Sequence, residues 1–190
     1  KIAEQFYTNA EQQGISLIKN IRVTKLFAWI DTNVVEKILY NLLSNAIKFT
    51  PKGGKIIIGL KQVEAEKSNF ISGHIEIYIE DNGRGIKSLD LNNIFNRFYQ
   101  SENQNKENEG VGIGLSFSQN LAKLHGGIIK VESEYQKGSC FTLYIPLGNS
   151  HLSNDQMVEN NEIFISKAEK QDHLILEKDQ PSHTNQKNKP

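Results

Sequence analysis

Tyr40-Asn41-Leu42-Leu43-Ser44-Asn45-Ala46-Ile47-Lys48-Phe49-Thr50 is the stretch on which the reading of this chain turns. It continues a helix that opens near Asp31 to Asn33, residue types that cap helix N-termini. Val35, Ile38, Leu39, Leu42, Leu43, Ala46 and Phe49 recur at steps of three and four and mark a buried face. Asn41, Asn45 and Lys48 fall on a second stripe. Each interior asparagine costs roughly 0.5 kcal/mol of helix propensity against alanine, so two of them one turn apart point to another use. Carboxamide oxygens beside an ammonium suit a hydrated metal and phosphates. A polar stripe on an amphipathic helix is also what a solvated face looks like, so the rest of the chain has to decide.

Working outward, Pro51, Gly53 and Gly54 stop the helix, and Lys55–Val63 reads as a strand. A second strand is expected over Ser72–Glu80, where Ile75, Ile77 and Ile79 alternate with polar residues. Asp81-Asn82-Gly83-Arg84-Gly85-Ile86 follows at once. Asn-Gly is a strong turn signal, yet Leu89, Leu91, Ile94 and Phe95 beyond it read as helical, so a simple hairpin does not fit. Its glycines let a flat ligand approach the backbone, and Asp81 can accept a hydrogen bond from a base amino group.

Ser101–Glu109 holds no apolar residue. Such a segment is either a surface loop or a mobile lid over a ligand. Gly110-Val111-Gly112-Ile113-Gly114-Leu115 ends it and opens a helix expected to reach His125. Glycines before a helix N-terminus free backbone N–H groups for phosphate, although the spacing is not that of a dinucleotide fingerprint and no P-loop Gly-Lys-Ser/Thr occurs. Ile128–Glu134 and Ser139–Leu147 read as a closing pair of strands around Gln136, Lys137 and Gly138. Upstream, Ile2, Phe6 and Ala10 predict a helix ending at Gly14, and Ile15–Ile21 and Lys25–Ile30 predict two short strands.

Composition sets the outer limits. The 190 residues are 37% hydrophobic, enough for one core with a tail. Lys+Arg and Asp+Glu balance at 22 each, so bulk charge gives no argument for nucleic acid or an anionic membrane. Cys140 is the only cysteine, which excludes an internal disulfide and fits a reducing, cytoplasmic setting. No apolar run approaches the ~20 residues needed to cross a bilayer. Met157 is the only methionine, and Lys1 reads as an internal start of a longer protein. The expected organisation is residues 1–13 as the end of an upstream helical dimerisation segment, 14–149 as the main domain, and 150–190 as a polar linker or tail.

In order, these segments resemble the catalytic, ATP-binding domain of bacterial sensor histidine kinases, over about residues 15–147. Asn41 to Phe49 is similar to the asparagine box, Asp81 to Ile86 to the first glycine box, Ile94-Phe95-Asn96-Arg97-Phe98-Tyr99 to the phenylalanine box, and Gly110 to Leu115 to the second glycine box. The resemblance implies the Bergerat ATPase fold, an α/β two-layer sandwich whose mixed β-sheet carries helices packed on one face, with a mobile ATP lid. It implies ATP and Mg²⁺ as ligands. Asp81 would take the adenine amino group, helped by Gly83 and Gly85. Asn41 and Asn45 would hold the metal. Lys48 and Arg97 would face the phosphates. Phe49, Ile86, Phe98, Gly110, Val111, Gly112, Ile113, Gly114 and Leu115 would complete the ATP site, with Ser139 in a water-mediated contact to adenine. Asn96 departs from the glutamate usual in the family, and Val111 from a small hydroxylated residue.

The activity implied is transfer of the γ-phosphoryl group to a histidine on a separate dimerisation and phosphoacceptor domain, in two-component signalling. None of His74, His125, His151, His173 and His183 begins the acceptor pattern. His125 reads as a helix-end cap. The partners implied are that upstream domain and a C-terminal receiver or a response regulator, with homodimerisation belonging to the full-length protein, whose parent could be an inner-membrane receptor. Nucleic-acid contact is not expected. Two competing functions remain: a conformational clamp ATPase of the same fold, and a nucleotide-silent regulatory docking module. Clamp enzymes carry a water-activating glutamate where this chain has Asn41, whose amide cannot act as a base.

Overall fold

The computed structural model describes residues 2–21, 23, 26, 28–101, 111–149 and 152. Helix α1, Ile2–Gln12, leads into strand β1, Ser16–Ile21, and then the long helix α2, Thr32–Phe49. Strand β2, Lys55–Val63, is followed by a 3-10 turn at Ala65–Lys67 and strand β3, His74–Asp81. A single helical turn α3, Ser88–Leu91, helix α4, Gly114–Leu124, and strands β4, Ile128–Glu134, and β5, Gly138–Pro146, complete the order. The five strands lie as β1-β2-β3-β5-β4, with β1 parallel to β2 and every other pair antiparallel. The mixed sheet expected from the resemblance is therefore present.

Period-two patterning puts one set of side chains under the helices. Ile77 stands opposite Leu60 on β2 and Leu143 on β5, and Ile79 stands opposite Ile58 and Phe141. These join Val35, Ile38, Leu42, Leu43, Ala46 and Ile47 of α2 in one core, to which α1 adds Phe6 and Ala10. At about 25 cal/mol per Å² of apolar surface, this shared layer is the main force holding α2 to the sheet. The opposite sheet face is polar and aromatic. There Tyr78 lies across Gly59, where any Cβ would strike its ring, and its hydroxyl accepts from Asn20 Nδ2 at 2.7 Å.

Helix α2 begins as its sequence implies. The Asp31 side chain accepts from the N–H groups of Asn33 (2.9 Å) and Val34 (3.3 Å). Asp31→Ala is expected to cost about 1 kcal/mol, read as a lowered urea midpoint with an unchanged slope. His125 supports the same end differently from expectation. Its Nε2 accepts the Asp31 N–H at 3.1 Å, so the ring caps α2 through a lone pair rather than α4 through a positive charge.

Two expected elements differ. Lys25–Ile30 forms no strand at its described residues: Leu26, Ala28 and Ile30 pack on the core without a ladder partner, and Lys25 and Phe27 lie outside the described residues. The helix expected from Leu89 to Phe95 stops after one turn. Backbone bonds from the N–H of Asn93 to the Asp90 carbonyl and of Asn96 to the Asn93 carbonyl close successive i to i+3 turns in place of a continued helix. Leu89 is left exposed, while Ile94 and Phe95 still pack on the core. The expected tail after residue 149 and the lid segment 102–109 lie outside the described residues, apart from Leu152.

Candidate functional site

Beside α2 the structure opens a cavity of about 520 Å³. One wall is the polar stripe of α2, with Asn41, Asn45 and Lys48; the others are the segment after β3, the start of α4 and the β4–β5 end of the sheet. Asp81, the last residue of β3, lies at its floor and is only 8% exposed. Its Oδ1 accepts the Gly83 N–H at 2.8 Å. Burial pushes the Asp81 carboxyl above the usual carboxylate range, while the Gly83 and Ser139 N–H groups pull it part of the way back and the neighbouring Glu80 charge adds to the rise. A buried carboxylate held by main-chain donors keeps acceptor capacity free for a ligand.

Backbone bonds seam the Asp81 loop to both neighbours. The Arg84 N–H donates to the Phe49 carbonyl at the end of α2, and the Gln136 N–H donates to the Arg84 carbonyl. Asn82 Oδ1 accepts the Lys55 N–H at 2.6 Å. Ile86 N–H donates to Ser133 Oγ, which lies 3.0 Å from Ser139 Oγ. The glycines here are steric necessities: a Cβ at Gly83 would strike the Phe49 carbonyl oxygen, and one at Gly85 the Glu134 carbonyl oxygen.

Across the cavity, Asn41 Nδ2 donates to Ser118 Oγ on α4 at 2.9 Å, and Ser118 is fully buried. Asn41 Oδ1 faces Gly114, where a Cβ would collide with it, so α4 begins close against the amide. Lys48 Nζ lies 5.1 Å from the Phe49 ring centroid and the Arg84 guanidinium carbon 4.3 Å from it. Burial, and then the Arg84 charge, hold the Lys48 ammonium below its ordinary value. At the rim, Asp90 accepts from Tyr99 Oη (2.7 Å) and Ser101 Oγ (2.6 Å). Those two hydrogen bonds, Ser101 first, outweigh slight burial and, with the Lys87 and Arg84 charges, hold its carboxyl low.

Of the residues expected at the site, Asn41, Asn45, Lys48, Phe49, Asp81, Gly85, Ile86, Val111, Gly112, Ile113, Gly114, Leu115 and Ser139 line this one cavity. Gly83 lies behind Asp81 as its hydrogen-bond donor. Gly110 is outside the described residues. Arg97 and Phe98 are not brought in. Arg97 is exposed on the turn after Ile94 and Phe95, and Phe98, 68% exposed, is held at φ 65° with its N–H on the Gly112 carbonyl. Arg84, Lys87, Asp90, Tyr99 and Tyr135 also line the cavity without having been expected there. Arg84 and Tyr99 stood inside quoted motifs, whereas nothing in the local pattern singles out Tyr135.

A mixed sheet covered by helices on one face, with a cavity between its longest helix and a glycine-bordered acidic strand end, defines an α/β domain with a small-molecule pocket among its described residues. Residues 30–149 match the histidine kinase-, DNA gyrase B- and HSP90-like ATPase family. The chain belongs to that family, as the catalytic, ATP-binding domain of a histidine kinase. It is 35% identical to histidine kinase P4 of Formosa agariphila over 136 residues, 70% of this chain and 9% of that protein. It is 30% identical to the sensor histidine kinase WalK of Bacillus subtilis, over 72% of this chain and 21% of WalK. The chain thus spans only a small part of these relatives. Among solved structures, the catalytic domain of the histidine kinase ThkA matches with a TM-score of 0.66 at 22% identity, covering 80% of this chain and 91% of that one. Full-length ShkA in complex with AMPPNP matches with a TM-score of 0.66 at 24% identity, over 77% of this chain and 28% of ShkA. Both likenesses concern the fold.

Proposed function

We propose that this chain binds Mg-ATP in the cavity and donates the γ-phosphoryl group to a histidine on a separate dimerisation domain. One observation carries the reading: a buried acceptor carboxylate, Asp81, shares a single cavity with the Asn41, Asn45 and Lys48 stripe. Asp81 accepts from the adenine amino group, and the turn around Gly85 leaves room for the base. Lys48 neutralises phosphate charge, while N–H groups at the start of α4 meet phosphate oxygens. Arg97, expected to face the phosphates, lies exposed outside the described lining.

The metal fits the donor set. Mg²⁺ takes few protein ligands and keeps waters, and no group of three His, Cys, Asp or Glu side chains among the described residues offers a richer cage. Asn45 and Asn41 would hold it, Asn41 with its amide placed by Ser118 and Gly114. When bound, the ion would supply positive charge to offset the charge that develops on the phosphates during transfer. Catalysis on this side of the reaction is positioning and charge stabilisation, so no side-chain base is required.

That point separates the kinase from a clamp ATPase. Among the described residues, the carboxylates lining the cavity are Asp81, held by the Gly83 and Ser139 N–H groups, and Asp90, taken by two hydroxyls. In this reading Asp81 is committed to the base and Asp90 to its two hydroxyls, so neither serves to activate water and hydrolysis by this chain alone should be slow. In a parent of hybrid type, the phosphoryl group would pass on to a receiver aspartate, and two relatives are named hybrid signal transduction histidine kinases. The test is a magnesium-dependent ATP titration, followed by incubation with a helical domain carrying the acceptor histidine. Expected are saturable binding and acid-labile, base-stable phosphoprotein. Absence of binding at millimolar nucleotide would leave the docking module standing, and rapid hydrolysis without phosphoprotein would favour the clamp.

A further inference from the structure

Phe49 carries two cations on one ring. Arg84 and Lys48 both lie within cation–π range of it, and both line the cavity, as does Lys87, which lies over the Tyr135 ring. Among the described residues, no carboxylate comes within ion-pair distance of any of the three. Asp90 feels the Arg84 and Lys87 charges, but its oxygens are occupied by Tyr99 and Ser101. Like charges gathered at a half-buried wall repel, and partial desolvation sharpens the repulsion. An anion with several charges, placed among them, removes that penalty.

Arg84 is also not a loose surface arginine. Its N–H is fixed to the Phe49 carbonyl and its own carbonyl to the Gln136 N–H, so main chain on both sides holds the residue in place. Its guanidinium carbon lies 4.3 Å from the Phe49 ring centroid, a contact that a guanidinium makes without using up its N–H fork. A planar fork matches phosphate oxygens two at a time, which a lysine cannot do.

We infer that Arg84 is a phosphate-reading residue: with Lys48 it contacts the phosphate chain of the bound nucleotide and makes affinity rise with the number of phosphates. The inference rests on the ATP reading above. The competing role for the same stacked guanidinium is a contact with the base, which would serve adenosine, ADP and ATP alike. A residue that only props up Phe49 would affect all three equally as well.

Calorimetric titration of the full chain separates these roles. Wild type, Arg84→Gln and Arg84→Lys are each titrated with Mg-ATP, Mg-ADP and adenosine, and thermal unfolding reports whether each variant folds. For Arg84→Gln, ATP affinity should drop about tenfold or more, ADP affinity by a smaller factor, and adenosine affinity not at all. Arg84→Lys should recover part of the ATP loss, because charge returns without the fork. An equal loss for all three ligands, or no loss for ATP, overturns the inference while the ATP reading stands. Failure of the wild type to bind any of them overturns the ATP reading and this inference with it.

Discussion

Asp81→Asn is expected to cost about ten- to a hundredfold in ATP affinity while leaving the empty protein as stable as before or slightly more so. A hydrogen bond to a charged acceptor contributes roughly 1.5–3 kcal/mol, and each 1.4 kcal/mol is a factor of about ten. The asparagine amide can turn a donor toward the adenine amino group, adding a mismatch to the loss. Stability should move the other way because of the sign of the Asp81 shift. Burial raises its carboxyl in the folded protein above the unfolded value. The stability linked to such a group is fully present below the unfolded value and is lost as pH rises through the folded one. At neutral pH the ionised carboxylate is therefore a cost to the fold, only partly offset by the Gly83 and Ser139 N–H groups.

The same sign gives a pH test. Wild-type ATP affinity should start to fall on acidification above the ordinary carboxylate range, as Asp81 takes up its proton, and in Asp81→Asn that step should vanish. Titrations across mildly acidic pH, with urea unfolding at neutral pH, check both halves. An unchanged ATP affinity removes Asp81 from the recognition of adenine. A large drop in stability would mean that its carboxylate is structural.

The elements that could be read in advance were those whose period matches what they bury. Helix α2 carried a three-and-four repeat and an Asp31 cap, and β3 and β5 alternated cleanly because each has one face under the helices. Lys25–Ile30 had a strand pattern too, but alternation reports which side chains are buried and not whether a ladder partner exists. Leu26, Ala28 and Ile30 are half-buried against the core without one. The site was legible where a motif placed side chain and backbone together, as at Asp81 with Gly83. It was not legible where placement depends on distant partners. Ser118 orients Asn41 from 77 residues away, and Arg84 earns its position through Phe49 and Gln136, contacts that no local spacing encodes. The placement of Arg97 depends on a related feature. Its box is continuous in sequence, but the turns at Asn93 and Asn96 replace the expected helix and leave Arg97 exposed.

Gly85→Ala should damage fold and site together, and comparison with Gly53→Ala separates the causes. Both glycines have positive φ, 64° and 82°, so either alanine carries the left-handed penalty of about 1 kcal/mol. At Gly53 a Cβ would meet nothing within 4 Å. At Gly85 it would run into the Glu134 carbonyl oxygen, with the Gly138 carbonyl oxygen only 3.1 Å away. Both obstacles are backbone of the β4–β5 turn, which cannot step aside as a flexible side chain would. The Arg84 carbonyl is meanwhile bonded to Gln136 in that same turn, so relief of the clash has to break the seam. Gly85→Ala is therefore expected to lose about 3 kcal/mol or more in urea unfolding. It should also abolish measurable ATP binding, because the loop that must shift begins at Asp81. Gly53→Ala, in the α2–β2 connection, should lose about 1 kcal/mol and bind ATP as the wild type does. If the two variants unfold at the same urea concentration, the close approach at Gly85 does not govern the loop, and the tie between the Asp81 turn and the sheet end is not what shapes the cavity.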